Sequence, residues 1–307
     1  MVMTYDLIIV GAGPAGLSAA LTACYMRLNH LVLEAGEAGG VPVHVYPWKE
    51  VDSFIGFFGV SGKGVAERMT SHVRKEGAVI HEGERMTGIK RDEKKRTFKV
   101  TTDKGVYETK AVLFASGTSG TPKKLGIPGE DNPNIQYSIA DPEHYRGKNV
   151  LVVGGGDTAL ESALILDKSG AKVWLAHRKG EFRAMNKTQE EIKRSSVKVL
   201  FDTEVKEIIG KEKVKVLSNK TGKEIVLGVD NIVVCIGSIF SLDFLKGLGV
   251  KTEEDKIHVD EEMRTNVEGF YAAGDVTGRL KRIPEAIGEG HLAVYSIFKW
   301  LKKPYWV

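Results

Sequence analysis

An α/β chain with two parallel-sheet units is the fold class that the 307-residue sequence predicts, and three observations predict it. Two apolar runs, Leu7-Ile8-Ile9-Val10 and Val150-Leu151-Val152-Val153, each lead into a glycine-rich turn. Each turn opens a helical stretch. In each unit a further apolar run follows and ends in a polar residue, Glu34 after Leu31-Val32-Leu33 and His177 after Val173-Trp174-Leu175-Ala176. Strand, glycines and helix in that order are the setting in which a G-x-G-x-x-G pattern carries information, because alone it also marks ordinary tight turns.

The first turn is Gly11-Ala12-Gly13-Pro14-Ala15-Gly16 and the second is Gly154-Gly155-Gly156-Asp157-Thr158-Ala159. Glycines there let backbone N–H groups approach a pyrophosphate, and the following helix N-terminus offsets its charge. Two Rossmann-like units therefore predict two bound dinucleotides, with electrons passing between them. Glu34 follows Gly11 at close to the ~20-residue spacing at which a carboxylate meets a ribose hydroxyl pair, which suits an adenosine without a 2′-phosphate. His177 holds the matching place after Gly154, and Arg178, Lys179 and Arg183 follow. A carboxylate would repel a 2′-phosphate where these cations attract it, so the second site is expected to take NADP rather than NAD.

Composition agrees with two ordinary domains. The formal net charge is +4, from 44 basic and 40 acidic residues, and no basic stretch interleaved with aromatics suggests a nucleic-acid face. The densest charge run, Lys90 to Arg96, mixes signs between Met86-Thr87-Gly88-Ile89 and Thr97-Phe98-Lys99-Val100, and reads as a solvated hairpin loop. The N-terminal apolar segment is broken after Val10 and reads as a first strand rather than a signal peptide; no run is long enough to span a membrane, and a cytoplasmic setting is expected. His144, His258 and His291 show no metal-ligand spacing, so no metal site is expected.

Two more short runs end at small residues: Val112-Leu113-Phe114-Ala115-Ser116-Gly117, and Phe270-Tyr271-Ala272-Ala273-Gly274-Asp275 with a carboxylate at its end. With these in place the chain resembles the flavoprotein pyridine nucleotide oxidoreductases, in the low-molecular-weight thioredoxin reductase branch. The matching marks are the two turns, Glu34, Gly39-Gly40, Ala115 to Gly117, His177-Arg178 with Phe182-Arg183, Ile236-Gly237 and Gly274-Asp275. They span nearly the whole chain in family order.

The resemblance implies two three-layer ββα nucleotide-binding domains, with the NADPH domain, residues 119–241, inserted into a discontinuous FAD domain, residues 1–118 and 242–307. Thr118 to Asn134 reads as the linker, Gly237-Ser238-Ile239-Phe240-Ser241 as the return, and Glu212 to Leu217 and Glu224 to Leu227 as small strands of the inserted domain. It also implies a homodimer. FAD would be held by Gly11, Gly13, Pro14, Ala15, Gly16, Glu34, Gly39, Gly40, Val41, Tyr46, Ala115, Ser116, Gly117, Gly274, Asp275 and Ile283. NADPH would be held by Gly154, Gly155, Gly156, Asp157, Thr158, Ala159, His177, Arg178, Lys179, Arg183 and Gly237.

Cysteine marks the departure. Thioredoxin reductases carry a C-x-x-C pair just before the second turn to relay electrons from flavin to protein. Here Tyr137 to Lys148 holds no cysteine, and the chain's two, Cys24 and Cys235, are expected to be small buried side chains in different domains. A dithiol relay is thereby excluded. The chain is similar in this respect to thioredoxin-reductase-like ferredoxin–NADP reductases, and Tyr46-Pro47-Trp48-Lys49 resembles a segment of theirs whose tyrosine stacks on the isoalloxazine ring. Val41 stands where many relatives have glutamine. The tail ending in Tyr305-Trp306 is shorter than the tail with which those reductases cover the flavin, so one of these aromatics substitutes or the flavin is more open.

The expected chemistry passes hydride from NADPH to FAD and then single electrons to a ferredoxin or another one-electron acceptor. Asp275 would hold the ribityl chain, residues near Ile283 would face the pyrimidine end, and Arg282 or Lys281 would stabilise negative charge there. Glu285 and Glu289 read as structural or solvent-facing. Two other readings stay open: an NAD(P)H oxidase or quinone-type small-molecule reductase on the same fold, and a non-enzymatic nucleotide-binding redox sensor.

Overall fold

The computed structural model describes residues 4–239, 242–253 and 256–305. The chain forms two compact units, one made of Met1–Gly120 with Phe240–Val307 and the other of Thr121–Ile239.

In the first unit the parallel part of the sheet has the spatial order Ile80–His81, His30–Leu33, Thr4–Val10, Val106–Phe114, with Phe270–Ala272 also beside Val106–Phe114. Val106–Phe114 serves two sets of neighbours. Its C-terminal half pairs in parallel with Thr4–Val10 and Phe270–Ala272, and its N-terminal half begins an antiparallel run with Thr97–Thr102 and Met86–Asp92.

The central strands are apolar on both faces, and each face buries a different layer. Leu7, Ile9, Val32, Leu113 and Tyr271 pack against the helices Pro14–Tyr25 and Ile283–Lys302 through Ala19, Ala20, Ala23, Ala293 and Ile297. Ile8, Val10, Leu31, Leu33, Phe114 and Phe270 pack against Ile89, Phe98 and Val100 of the antiparallel run and against Leu242 and Leu245. Helix, sheet and antiparallel ribbon make the three layers that the resemblance implies.

The second unit repeats the plan. Its parallel sheet has the order Lys198–Leu200, Lys172–Ala176, Asn149–Val153, Asn231–Val234, Ile135–Gln136. An antiparallel ribbon of Thr203–Ile209, Lys213–Ser218 and Glu224–Gly228 places Val205, Ile208, Val214 and Val216 against Leu151, Val153, Ile232 and Val234. The short strands expected from Glu212 and Glu224 are the inner and edge strands of this ribbon.

One expectation is refined. The segment after Thr118 is not an open linker, because Thr121–Pro122 pairs antiparallel with Ser238–Ile239, and Glu130 accepts the N–H groups of Leu125 and Gly126. Phe240 and Ser241 of the return segment lie outside the described residues, as does Trp306. Among the described residues no helix is long and apolar enough to cross a membrane.

Candidate functional site

The first turn is forced on the chain by close backbone approach. Gly11 has φ +104°, and a Cβ there would lie 2.5 Å from the Ala115 carbonyl oxygen, at the tip of Val106–Phe114. A Cβ on Gly16 would lie 1.8 Å from the Gly11 carbonyl oxygen, so only hydrogen fits between the turn and its own helix. Around Gly13 there is room, the nearest atom to a Cβ being Gly40 Cα at 3.8 Å. Gly13 is the N-cap of Pro14–Tyr25, with proline at the start, no side-chain cap and no acidic residue in the first turn. The positive end of a 12-residue helix is left for an anion.

Gly39 and Gly40 close on this turn. The Gly39 N–H donates to the Ala12 carbonyl at 2.8 Å, and a Cβ on Gly40, φ +66°, would lie 2.8 Å from Gly13 Cα. Glu34 reaches the same place: its Oε2 accepts the Ala12 N–H at 2.7 Å and its Oε1 the Gly36 N–H at 2.8 Å. Its own backbone is held from both sides, the N–H donating to the His81 carbonyl and the carbonyl accepting from the Glu84 N–H. A carboxylate with each oxygen singly used keeps lone pairs for two ribose hydroxyls.

Val41 opens a short helix, Val41–His44, and its carbonyl accepts the N–H groups of Val45 and Tyr46. Tyr46 is half-buried, edge-on to Trp48 at 6.3 Å, with the Lys49 ammonium 5.3 Å from its ring centroid. Gly274, φ +81°, turns the chain after Phe270–Ala272, and burial pushes the Asp275 carboxyl up while Lys281 opposes the shift. Lys281 itself donates to the Thr118 hydroxyl at 3.0 Å. Ile283 starts the C-terminal helix, with Arg282 as its N-cap. An uncapped helix end, an opening over Gly13 and carboxylates at Glu34 and Asp275 fit an extended dinucleotide such as FAD.

The second turn repeats the first at backbone level. Gly154 donates to the Ala176 carbonyl as Gly11 does to that of Leu33, and Cys235 donates to Val153 as Ala115 does to Val10. A Cβ on Gly154 would lie 2.4 Å from the Cys235 carbonyl oxygen. Nothing lies within 4 Å of a Cβ on Gly156, and Asp157 starts the helix Asp157–Lys168. Arg178, Lys179 and Arg183 are exposed, and the Arg183 N–H donates to the Gly155 carbonyl at 2.8 Å.

His177 sits differently from the cations beside it. Its side chain is buried over Gly155, where a Cβ would meet the ring at 2.2 Å; Nε2 lies 2.9 Å from the Glu181 carbonyl and Phe182 stacks on the ring. Burial pushes the imidazole below its ordinary value, and Arg183, Arg178 and Lys179 add to the shift. A neutral, packed ring braces the loop that presents the cations, a different role from direct contact with phosphate. Of the two readings open for Glu289, structural or solvent-facing, the structure shows the first: it is buried and accepts the Gly274 N–H. The signal was legible, because Ala286, Glu289, Gly290 and Ala293 recur at the spacing of a buried helical face.

Both cysteines are only half-buried, contrary to expectation. Cys24 is 3.8 Å from His30 Nε2, with burial raising its thiol pKa. Cys235 follows the strand Asn231–Val234 rather than lying in it; burial pushes its thiol up to about 11, and it donates to the Ser162 hydroxyl. Neither is a thiolate near neutral pH.

The family profile for pyridine nucleotide-disulphide oxidoreductases matches residues 5–290. The chain belongs to that family. It is an FAD-dependent NADPH oxidoreductase. Over 305 residues it is 39% identical to a ferredoxin–NADP reductase of Ignicoccus hospitalis, covering 98% of this chain and 99% of that one. A thioredoxin reductase of Listeria innocua is 34% identical, with 97% and 94% covered. Among solved structures, the thioredoxin reductase of Lactococcus lactis superposes with a TM-score of 0.87 at 29% identity, covering 98% of this chain and all of that one. That of T. acidophilum gives 0.86 at 31% identity, with 96% and 98% covered.

Proposed function

We propose that this oxidoreductase is a ferredoxin–NADP reductase, reducing a ferredoxin or another one-electron carrier with NADPH and using no dithiol relay. The observation that carries the reading is the pairing of two complete dinucleotide turns with a sequence that has two cysteines and no C-x-x-C. Full-length similarity to a ferredoxin–NADP reductase supports it. FAD is assigned to the unit of Met1–Gly120 and Phe240–Val307, and NADPH to Thr121–Ile239.

The protein's part is binding and positioning. The uncapped start of Pro14–Tyr25 holds the FAD pyrophosphate, Glu34 its ribose, Asp275 the ribityl chain, and Tyr46 offers a ring face that excludes water. The start of Asp157–Lys168 holds the NADPH pyrophosphate, and Arg178, Lys179 and Arg183 hold its 2′-phosphate. When bound, FAD accepts a hydride from NADPH and can release the two electrons singly. Lys281 and Arg282, cationic at the start of the C-terminal helix, stabilise negative charge at the pyrimidine end.

A second reading, oxidase or quinone reductase, is favoured by one observation: Tyr305 is 98% exposed and covers nothing on its own unit. A homodimer and a cytoplasmic setting accompany the preferred reading, the first in keeping with the family resemblance and the second with two cysteines that form no disulfide. Anaerobic titration with NADPH, followed by ferredoxin, a quinone and oxygen in turn, tests the proposal. Bleaching of the flavin and fastest reoxidation by ferredoxin are expected; faster reoxidation by oxygen or quinone selects the second reading.

A further inference from the structure

The C-terminal helix Ile283–Lys302 reaches both flavin-side turns from one stretch of its buried face. Glu289, 4% exposed, accepts the Gly274 N–H on Oε2 at 2.6 Å. The Thr277 hydroxyl lies 3.2 and 3.3 Å from its two oxygens, and Arg279 Nε is 3.8 Å from Oε1. One residue on, Gly290 packs so tightly that a Cβ would lie 2.1 Å from the Ala15 carbonyl oxygen. Ser18, a turn into the N-terminal helix, donates its hydroxyl to the Ile287 carbonyl at 2.8 Å. The turn carrying Asp275 and the helix that starts at the first glycine turn are thus tied to the same few residues.

A buried carboxylate is an expensive way to fill such a place. Desolvation raises its free energy, and a leucine of similar volume would close the same gap without that cost. What leucine cannot do is accept an N–H from a glycine whose φ of +81° leaves the turn conformationally loose. We propose that Glu289 is a positioning residue for the flavin: by fixing the Gly274 N–H and the Thr277 hydroxyl, it holds Asp275 in register with the Gly11–Gly16 turn, so that one extended ligand meets both. The inference rests on the reading of Gly274–Asp275 as a flavin-contacting turn.

The test is FAD affinity of the apoprotein, followed by flavin fluorescence, for the native chain, E289L, E289Q, T277V and D275A. E289L is expected to weaken binding at least about tenfold and to shift the bound flavin's absorption bands, whereas E289Q, whose amide oxygen still accepts the Gly274 N–H, stays within about threefold. That rescue separates positioning from bulk packing, so equal losses in E289L and E289Q overturn the inference, as does native affinity in E289L. If E289L does not fold, T277V keeps the carboxylate and removes one of its partners, and is expected to lose about threefold; native affinity there overturns the inference as well. Loss in D275A with none in E289L defeats the positioning role alone. Loss in neither defeats the flavin assignment of the turn, and the inference with it.

Discussion

At the first turn the residue after the leading glycine, Ala12, gives its N–H to the Glu34 carboxylate, whereas at the second the matching Gly155 lies beneath the ring of His177. The two turns share strand, backbone hydrogen bonds and the oxygen that forbids a side chain on the leading glycine. They differ at the helix start. The first has no acidic residue there, and the second has Asp157, whose Oδ1 accepts the Met185 N–H at 2.9 Å. A carboxylate at a helix N-terminus already complements part of the dipole that would otherwise attract phosphate. The first site is thereby suited to a resident cofactor and the second to one that comes and goes.

Substitution of the glycines should separate the tight leading position from the open third position most sharply. Gly11→Ala combines an unfavourable φ with a backbone clash, so loss of FAD and a marked fall in Tm are expected. Gly156→Ala meets open space, and its stability should stay within about 0.5 kcal/mol of native while the KM for NADPH rises. Equal destabilisation by both would show that Gly156 is packed as tightly as Gly11.

The charge contrast comes next. Glu34→Arg removes the proposed acceptor for the ribose hydroxyls, a charge-assisted contact worth about 1.5–3 kcal/mol, and should weaken FAD binding roughly 10- to 100-fold. Arg178→Ala should lower kcat/KM for NADPH by roughly 10- to 100-fold, the equivalent of one charge-assisted contact, with little change for NADH. Equal losses with both nucleotides would mean that Arg178 meets a group they share.

The smallest effect concerns the clamp on Glu34. Burial pushes the neighbouring Glu84 carboxyl up, but hydrogen bonds from Thr102, Tyr107 and His81 outweigh this and hold it below the ordinary carboxylate value. A lowered pKa contributes stability above the unfolded-state value that is lost as pH falls through the folded one. Glu84→Gln should therefore lower Tm near neutral pH, and the gap from native should close in acid. A gap that widens in acid would contradict that sign.

Much of this was legible in the sequence because glycine and apolar runs report backbone geometry directly: Gly11, Gly16 and Gly154 stand where no side chain fits, and Leu7–Val10 and Val150–Val153 are apolar on both faces. Glu34 and the cations after His177 were readable from position alone. The setting of the His177 ring and the partner of Glu289 were not, because a polar residue's partner is set by tertiary contact. Sequence spacing put His177 at the ribose position, and only packing shows that its ring turns onto Gly155. The half-burial of Cys235 likewise depends on a strand end, after Val234, that hydrophobic runs do not locate.

The central claim is that electrons leave the flavin without passing through sulfur. Replacing both Cys24 and Cys235 by alanine and measuring NADPH-driven ferredoxin reduction at matched FAD content tests it most directly. A rate close to native, with no reduction of thioredoxin by either form, is the expected result; an inactive double variant that retains full FAD, or a native enzyme that reduces thioredoxin as fast as ferredoxin, would contradict it.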